Sequence, residues 1–514
     1  MFLSILLSFA LSTADTLHYD LLVGSYTREG NPGIEVFDAN LANGKTSPKY
    51  TRAMNNASFL AMSADTKYLY TVAEQNGGAA VAAFALNSKG EYDLLNTSLV
   101  VGKGPCHVAY RESTQTVYAA NYGSGTLSVF KTEKGKLLPI AQHIIYKGSS
   151  INPERQQAPH AHQVVISPDQ LYLYVNDLGT DRIHRHRIFA DGLVEETPQD
   201  IVIKAGNGPR HMTFNKQGSH AYLVNELSGT VDVFRVENGN FQLQQSIVSD
   251  TSSATSKASA DIHLSPNGKW LISSNRITVD QLTVFSVQPD GSLKKVGHQP
   301  VAKIPRNFNF DPTGKFVFVA SQQEHRVQVF AFNDADGSLK DLKQDLQVKM
   351  PVCLLFVQPQ VEADAEENIR KNSITLIPPT APIANYVKFV QVGKTAYLSG
   401  HGPDKPSGGQ VAGKVGKELT LEEGQAAARL AGISLLSTLK GQIGDLNQVK
   451  RIVKIVGLVN CESGFAQQPQ VMNGCSNLMV EVFGERGRHV RTSVGTNALP
   501  NNMAVEIEMV VELK

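Results

Sequence analysis

The chain has 514 residues, with 48 lysines and arginines against 47 aspartates and glutamates and a formal net charge of +1. That length admits two or three domains, and so even a balance, with no basic tail, excludes electrostatic capture of nucleic acid as the main activity. Beyond the N-terminus no run reaches the roughly 20 apolar residues that cross a bilayer, so neither nucleic acid nor membrane is an expected partner.

Residues 2–11 are mostly apolar and lead into Ser12-Thr13-Ala14, the pattern of a short signal peptide cleaved near Ala14, though no positive charge precedes the apolar run. Residues 1–17 are therefore set apart, and the mature chain is expected in a secretory lumen or outside the cell; without signal function it is cytoplasmic. In a lumen, the sequons at Asn56 and Asn96 become relevant, and Asn96 is the more accessible expectation. Cys106, Cys353, Cys461 and Cys475 form no C-x-x-C pair, which argues against zinc and for buried thiols, with a Cys461–Cys475 disulfide as the one bridge to consider.

From residue 18 onward one unit recurs. Strand-like segments carry anchors at Leu22, Tyr70, Tyr118, Tyr174, Tyr222, Ile272 and Phe318, and the last six are spaced 48, 56, 48, 50 and 46 residues apart. Turn sequences precede the later anchors: Ser167-Pro168-Asp169, Ser265-Pro266-Asn267-Gly268 and Asp311-Pro312-Thr313-Gly314. In these, Pro presets φ, and Gly or Asn tolerates positive φ. A second alternating run follows each anchor, as in Thr230-Val231-Asp232-Val233-Phe234. Seven such units without a helical period predict an all-β seven-bladed propeller over residues 18–360 and exclude a solenoid of strands and helices.

A closed array brings equivalent positions together. One strand of each unit runs down to the turn and the next runs back, so residues twelve before and four after the anchor share a mouth. The first set reads Ser58, Cys106, His162, Arg210, Ala260 and Arg306; the second reads Tyr26, Glu74, Tyr122, Leu178, Glu226, Arg276 and Gln322. His160, two residues before His162, is placed on the same strand face. Guanidinium forks match carboxylate or phosphate, and imidazole is an acid or base near neutral pH, so this mouth reads as an anion site. Spacing alone does not assemble His160, His162 and Glu226 into a metal site, and no metal or cofactor is expected. His184 and His186, on an outward-running strand, are expected on a solvated face.

Blade signals stop near Phe356. An acidic, apolar-poor stretch within 359–372 and prolines at 378, 379 and 382 mark a change of texture. Thr420-Leu421-Glu422-Glu423 reads as a capping box opening a helix to about Lys440. A buried strand is expected over 449–459, a second helix over 469–483 with Val471, Cys475, Leu478 and Val482 on one face, and a last strand over 505–513. Together these predict a smaller α+β domain over residues 361–514.

The propeller motifs resemble a known family. Gln156-Gln157-Ala158-Pro159-His160-Ala161-His162, Asn176-Asp177-Leu178-Gly179, Gly208-Pro209-Arg210-His211, Val224-Asn225-Glu226, Ser274-Asn275-Arg276 and Pro305-Arg306-Asn307-Phe308 are similar to those of the seven-bladed lactonases, over about residues 18–357. The resemblance implies a small-molecule lactone substrate and an active centre of His162, Arg210, Glu226 and Arg276. His160, Asp177 and Arg306 enter with the same motifs as substrate-binding residues. His162 or Glu226 would take a water's proton, and Arg210 and Arg276 would hold an oxyanion or an acidic group. Which lactone, and whether it is opened or formed, stays open. The competing reading is a catalytically silent binding propeller clustered by the second domain.

The second domain resembles the Rid (YjgF) family over about residues 365–514. The match runs through Pro382-Ile383-Ala384-Asn385-Tyr386-Val387, Tyr397-Leu398-Ser399-Gly400, Val471-Met472-Asn473-Gly474, Arg491-Thr492-Ser493-Val494-Gly495 and Val505-Glu506-Ile507-Glu508. This implies a chorismate-mutase-like fold and a homotrimer with clefts between subunits; some members hydrolyse enamines or imines. It gives Arg491 a substrate-carboxylate role, with Tyr386, Ser399, Asn473 and Glu506 as cleft residues. Ser493 and Gly495 depart from the deaminase pattern, which has Cys and an acid there.

Overall fold

The computed structural model describes residues 17–75, 78–87, 89–255, 257–358, 364–379 and 385–514. Residues 1–16 of the expected leader (1–17), residues 361–363 of the acidic stretch and the motif residues 382–384 lie outside them. The chain divides into two compact units, 1–360 and 361–514.

Seven antiparallel sheets form the first unit, six built from consecutive strands and one closed by both ends of the unit. In that closing blade the innermost strand Pro351–Val357 pairs with His18–Ser25, Leu355 opposite Leu22. Each innermost strand touches those of both neighbouring blades, so the ring closes around an axis. Closure satisfies the edge that an open sheet would leave exposed. All seven anchors fall on the second strand of their blades and are almost fully buried.

Two recurring contacts join the blades. The anchor hydroxyls of Tyr118, Tyr174 and Tyr222 donate to the carbonyls of Gly192, Gly239 and Gly291 in the next blade, at 2.7, 2.9 and 3.0 Å. A buried phenol is thereby paired, which avoids the cost of an orphaned hydroxyl. Outer-strand amides exchange two bonds with the next blade's backbone: Asn96 with Leu137, Gln142 with Val194, Gln245 with Leu293. Asn96, expected to be an accessible sequon, therefore has its amide committed between blades.

His184 and His186 are buried, contrary to the solvated-face expectation. Their strand, Arg182–Arg187, is third of four in its blade and is covered by its neighbours. The His184 ring stacks on Tyr146 at 3.9 Å and bridges Asp177 and Asp200, while His186 Nε2 meets the Tyr146 hydroxyl at 2.8 Å.

The second unit is a five-stranded sheet in the order Phe389–Val392, Thr395–His401, Val505–Leu513, Val449–Asn460, Val490–Thr496, the last pair parallel. The helices α1 (Ala365–Lys371), α2 (Leu421–Ile443) and α3 (Gln468–Phe483) contribute to one apolar core with this sheet. The Thr420–Glu423 capping box is formed in both directions. Helix α1 occupies part of the stretch read as apolar-poor. Asp364 caps it, and Ile369 anchors it in the core; seven residues are too few for periodicity to reveal. All four cysteines are free thiols, so the Cys461–Cys475 bridge is not formed. Among the described residues no helix is long and apolar enough to cross a membrane.

Candidate active site

The axial residues point inward because the innermost strands bulge. The ladder slips by one residue between Pro105 and His107, Ala161 and Gln163, Pro209 and His211, Ser259 and Ile262, and Pro305 and Asn307. A bulge sets two residues against one and re-aims a side chain. Residues twelve and eleven before the anchor therefore both reach the axis. They line a small cavity: Ser58, Cys106, His162, Arg210 and Arg306 from the first position, Phe59, His211 and Asn307 from the next, with Tyr26 and Val352.

Beside this cavity three guanidiniums converge on one carboxylate. Glu226 takes Arg155 at 2.8 Å on Oε1, and Arg210 at 2.9 Å and Arg276 at 3.0 Å on Oε2. Burial pushes the Glu226 carboxyl up, but Arg276, Arg210 and Arg155 together outweigh it and hold it at about 2. A carboxylate so held is permanently ionised and a poor base, so the general-base role considered for Glu226 falls to another group. It orients the arginines instead. Arg276 Nε is buried with no partner among the described residues, a donor beside the cluster. Arg306 makes no ion pair among the described residues; its guanidinium lies 5.5 Å from the centre of the Tyr26 ring.

His162 is buried, and burial followed by Arg210 holds it well below the ordinary histidine range, so it is neutral at pH 7. Its Nδ1 has no partner among the described residues. Behind it lies a layer that the alternation of a regular strand would turn away. His211 Nδ1 meets Asp261 Oδ1 at 2.7 Å, and the second Asp261 oxygen takes His263 at 2.9 Å and the Asn307 amide. His107 packs on Phe59 with ring centres 3.7 Å apart. Cys106 donates to the His162 carbonyl at 3.2 Å, and burial pushes its thiol up to about 12, so it is no nucleophile.

Two expected substrate ligands have other work. His160 precedes the strand Ala161–Ile166 rather than sharing a face with His162, and its ring stacks on Tyr122 at 4.5 Å and donates from Nδ1 to the Tyr122 carbonyl. Tyr122 meets His162 edge-on at 5.4 Å, so both imidazoles border one phenol. Asp177 does not face the cavity. Its oxygens accept from His160 N–H, Gly179 N–H, the Thr180 hydroxyl and His184. It sits three residues past the anchor, where Asn121, Asn225 and Asn275 likewise tie down side chains of their own blades. That phase serves the hairpins. Among the described residues no group of three His, Cys, Asp or Glu is arranged to hold a metal.

Two signals went unread. The column eleven before the anchors holds His107, Gln163, His211, Asp261 and Asn307, and only the bulges bring it inward. The 56-residue spacing between Tyr118 and Tyr174 marks an insertion, and Arg155 comes from it to reach Glu226.

In the second unit, Arg491 donates to Asn473 and Ser476 at 3.0 Å each, on the edge strand Val490–Thr496. Tyr386 and Glu506 line an open cavity with Lys388, Asp404 and Gln410, and Ser399 lines an adjoining groove. The strand Val449–Asn460 separates the Arg491 strand from the Glu506 strand, so one copy of this unit does not bring the two groups together. At Gly495 an added Cβ would stand 2.8 Å from Cys461 Sγ and from Gln468, so the acid of the deaminase pattern does not fit without a shift.

Fold and site define a propeller with a cationic, imidazole-bearing axial cavity. The model of the seven-bladed β-propeller lactonase family matches residues 20–356, and that of the YjgF/chorismate mutase-like family, whose description adds an endoribonuclease label, matches 369–513. A 6-phosphogluconolactonase of Formosa agariphila is 36% identical over 341 residues, 64% of this chain and 96% of its own; the enzyme of that name from Bacillus subtilis is 31% identical over 65% of this chain and 97% of its own. The solved periplasmic gluconolactonase of Pseudomonas aeruginosa superposes with a TM-score of 0.62 at 29% identity, covering 66% of this chain and 99% of that one. The chain belongs to the seven-bladed β-propeller lactonase family and carries a YjgF-like domain after the propeller.

Proposed function

We propose that the propeller hydrolyses the lactone of a sugar acid or another acidic lactone. The observation that carries this is charge: Arg155, Arg210, Arg276 and Arg306 meet at one mouth, and among the described residues Glu226 is the one carboxylate paired with them. The excess favours a ligand with its own anionic group and an oxyanion in the transition state. Donors already oriented by Glu226 need no reorganisation as that charge develops. Arg210 and Arg276 bind the oxyanion or acid group, Arg306 binds the substrate's anion, and a neutral imidazole takes the water's proton. The names borne by the Formosa, Bacillus and Pseudomonas relatives support this class of substrate. Proton release from gluconolactone and 6-phosphogluconolactone, measured above the spontaneous rate, tests it. Arg210→Ala should lose the activity; equal rates for wild type and variant would refute it.

We further propose that residues 1–17 act as a signal peptide and that the mature chain works in a secretory compartment, where a lactone without phosphate is the more accessible substrate. N-terminal sequencing of the expressed protein checks the cleavage.

For the YjgF-like unit the reading is a homotrimer whose clefts are completed between subunits. Its support is the separation of Arg491 from Glu506, together with Val387, Val390, Val392 and Tyr397, which are at least 47% exposed. Native mass of the full chain decides this; a monomer removes both cleft and clustering. In a trimer, imine hydrolysis lost in Arg491→Ala would make the unit an enzyme rather than a scaffold.

A further inference from the structure

We propose that His211, oriented by Asp261, is the general base that takes the proton of the attacking water, and that His107 and His162 complete the seat of that water. This rests on the lactone-hydrolysis reading of the same cavity.

Three imidazoles meet at the inner end of the site. The ring of His211 lies 5.6 Å from that of His107 and 5.2 Å from that of His162. Each has one buried nitrogen with no partner among the described residues: Nε2 of His211 and Nδ1 of both His107 and His162. Buried polar atoms in native proteins are paired, so three orphans in one cluster beside a cavity point to a polar occupant. Water is the ligand that fits. Arg210 is a common neighbour that lowers the proton affinity of all three rings, and the same positive field opposes a metal cation.

Only one of the three rings has its tautomer set by an ionised partner. Burial pushes the Asp261 carboxyl up, but His263 and His211 outweigh it and keep it well below its ordinary value. A carboxylate accepts only, so the bond from His211 places the proton on Nδ1 and leaves a lone pair on Nε2. The orphaned atom of His211 is therefore a base, with a carboxylate behind it to stabilise the imidazolium. Burial, then Arg210, holds His211 down to about 4, so it is neutral across the physiological range. An anionic substrate beside it raises that affinity.

The step balances without a co-reactant. The water oxygen bonds to the lactone carbonyl carbon as its proton passes to His211 Nε2, and the carbonyl electron pair moves onto the oxyanion held by arginine. On collapse the bond from carbon to ring oxygen breaks, and that oxygen recovers the proton from His211, giving the hydroxy acid.

The test uses the full chain with gluconolactone and 6-phosphogluconolactone, comparing wild type, His211→Gln and Asp261→Asn over pH 3–8. Loss of a general base is expected to lower kcat by about 100-fold or more in His211→Gln, with KM within about threefold. Asp261→Asn should lower kcat and move the acid limb of kcat/KM to lower pH, because the carboxylate is what raises the basicity of His211. A His211→Gln enzyme with wild-type kcat overturns the assignment. Should His211→Gln fail to fold, Asp261→Asn decides alone: wild-type kcat with an unmoved acid limb overturns it. If wild type hydrolyses neither lactone, the functional reading itself fails and this assignment with it.

Discussion

Replacing Glu226 with Gln removes the one carboxylate that three guanidiniums share. Its side chain is 4% exposed, and its partners lie at 2.8, 2.9 and 3.0 Å. The shift from the ordinary 4.5 to about 2 corresponds to roughly 3 kcal/mol of preference for the ionised form. Breaking a buried pair by deleting one partner costs about 3–5 kcal/mol, and the two magnitudes agree. Because the folded value is depressed, the contribution is complete above about pH 4.5 and is lost as pH falls toward about 2. Glu226→Gln should therefore be about 3–5 kcal/mol less stable at pH 7, with the gap narrowing below pH 4.5. The assay is urea denaturation followed by tryptophan fluorescence. The chain's single tryptophan, Trp270, sits in the propeller, so the signal reports that unit alone. Anions that bind the folded variant should return part of the loss in proportion to their concentration. A variant within about 1 kcal/mol of wild type, with the same acid dependence, would refute the claim that Glu226 is an ionised hub.

Arg306→Ala should raise KM for an acidic lactone by about 10- to 100-fold with little change in melting temperature, since Arg306 has no carboxylate to abandon; steady-state kinetics and a thermal melt check this. Asp177→Asn should do the opposite, costing about 2–3 kcal/mol through the bonds from His160, Thr180 and His184 while KM holds, as a melt and a KM measurement will show. Thr420→Ala should cost the YjgF-like unit about 1 kcal/mol through its lost cap, visible in helix circular dichroism and absent from the Trp270 signal.

The spacing of the anchors, the turns before them and the alternating runs after them made the seven blades legible, because each blade is a local unit with its own punctuation. The same register placed His162, Arg210, Glu226 and Arg276 at one end of the axis. The capping box and the face of Val471, Cys475, Leu478 and Val482 likewise marked α2 and α3, since caps and helical periodicity are local properties. Asp177 was misread for a related reason: its motif pointed to the site, but its position past the anchor belongs to the hairpins.

Sequence alone determined the array, its count and the chemistry gathered at its mouth. Tertiary structure decided which of those groups do what. The bulges turned a second column, His107, His211 and Asp261, toward the axis, which a period of two cannot show. Arg155 arrived from an insertion whose length was visible and whose reach was not. Glu226 went from candidate base to permanent anion because three arginines, far apart in the chain, surround it where water does not screen them. Proton affinity depends on every charge and every buried surface around a group, and those neighbours are assembled only when the ring closes.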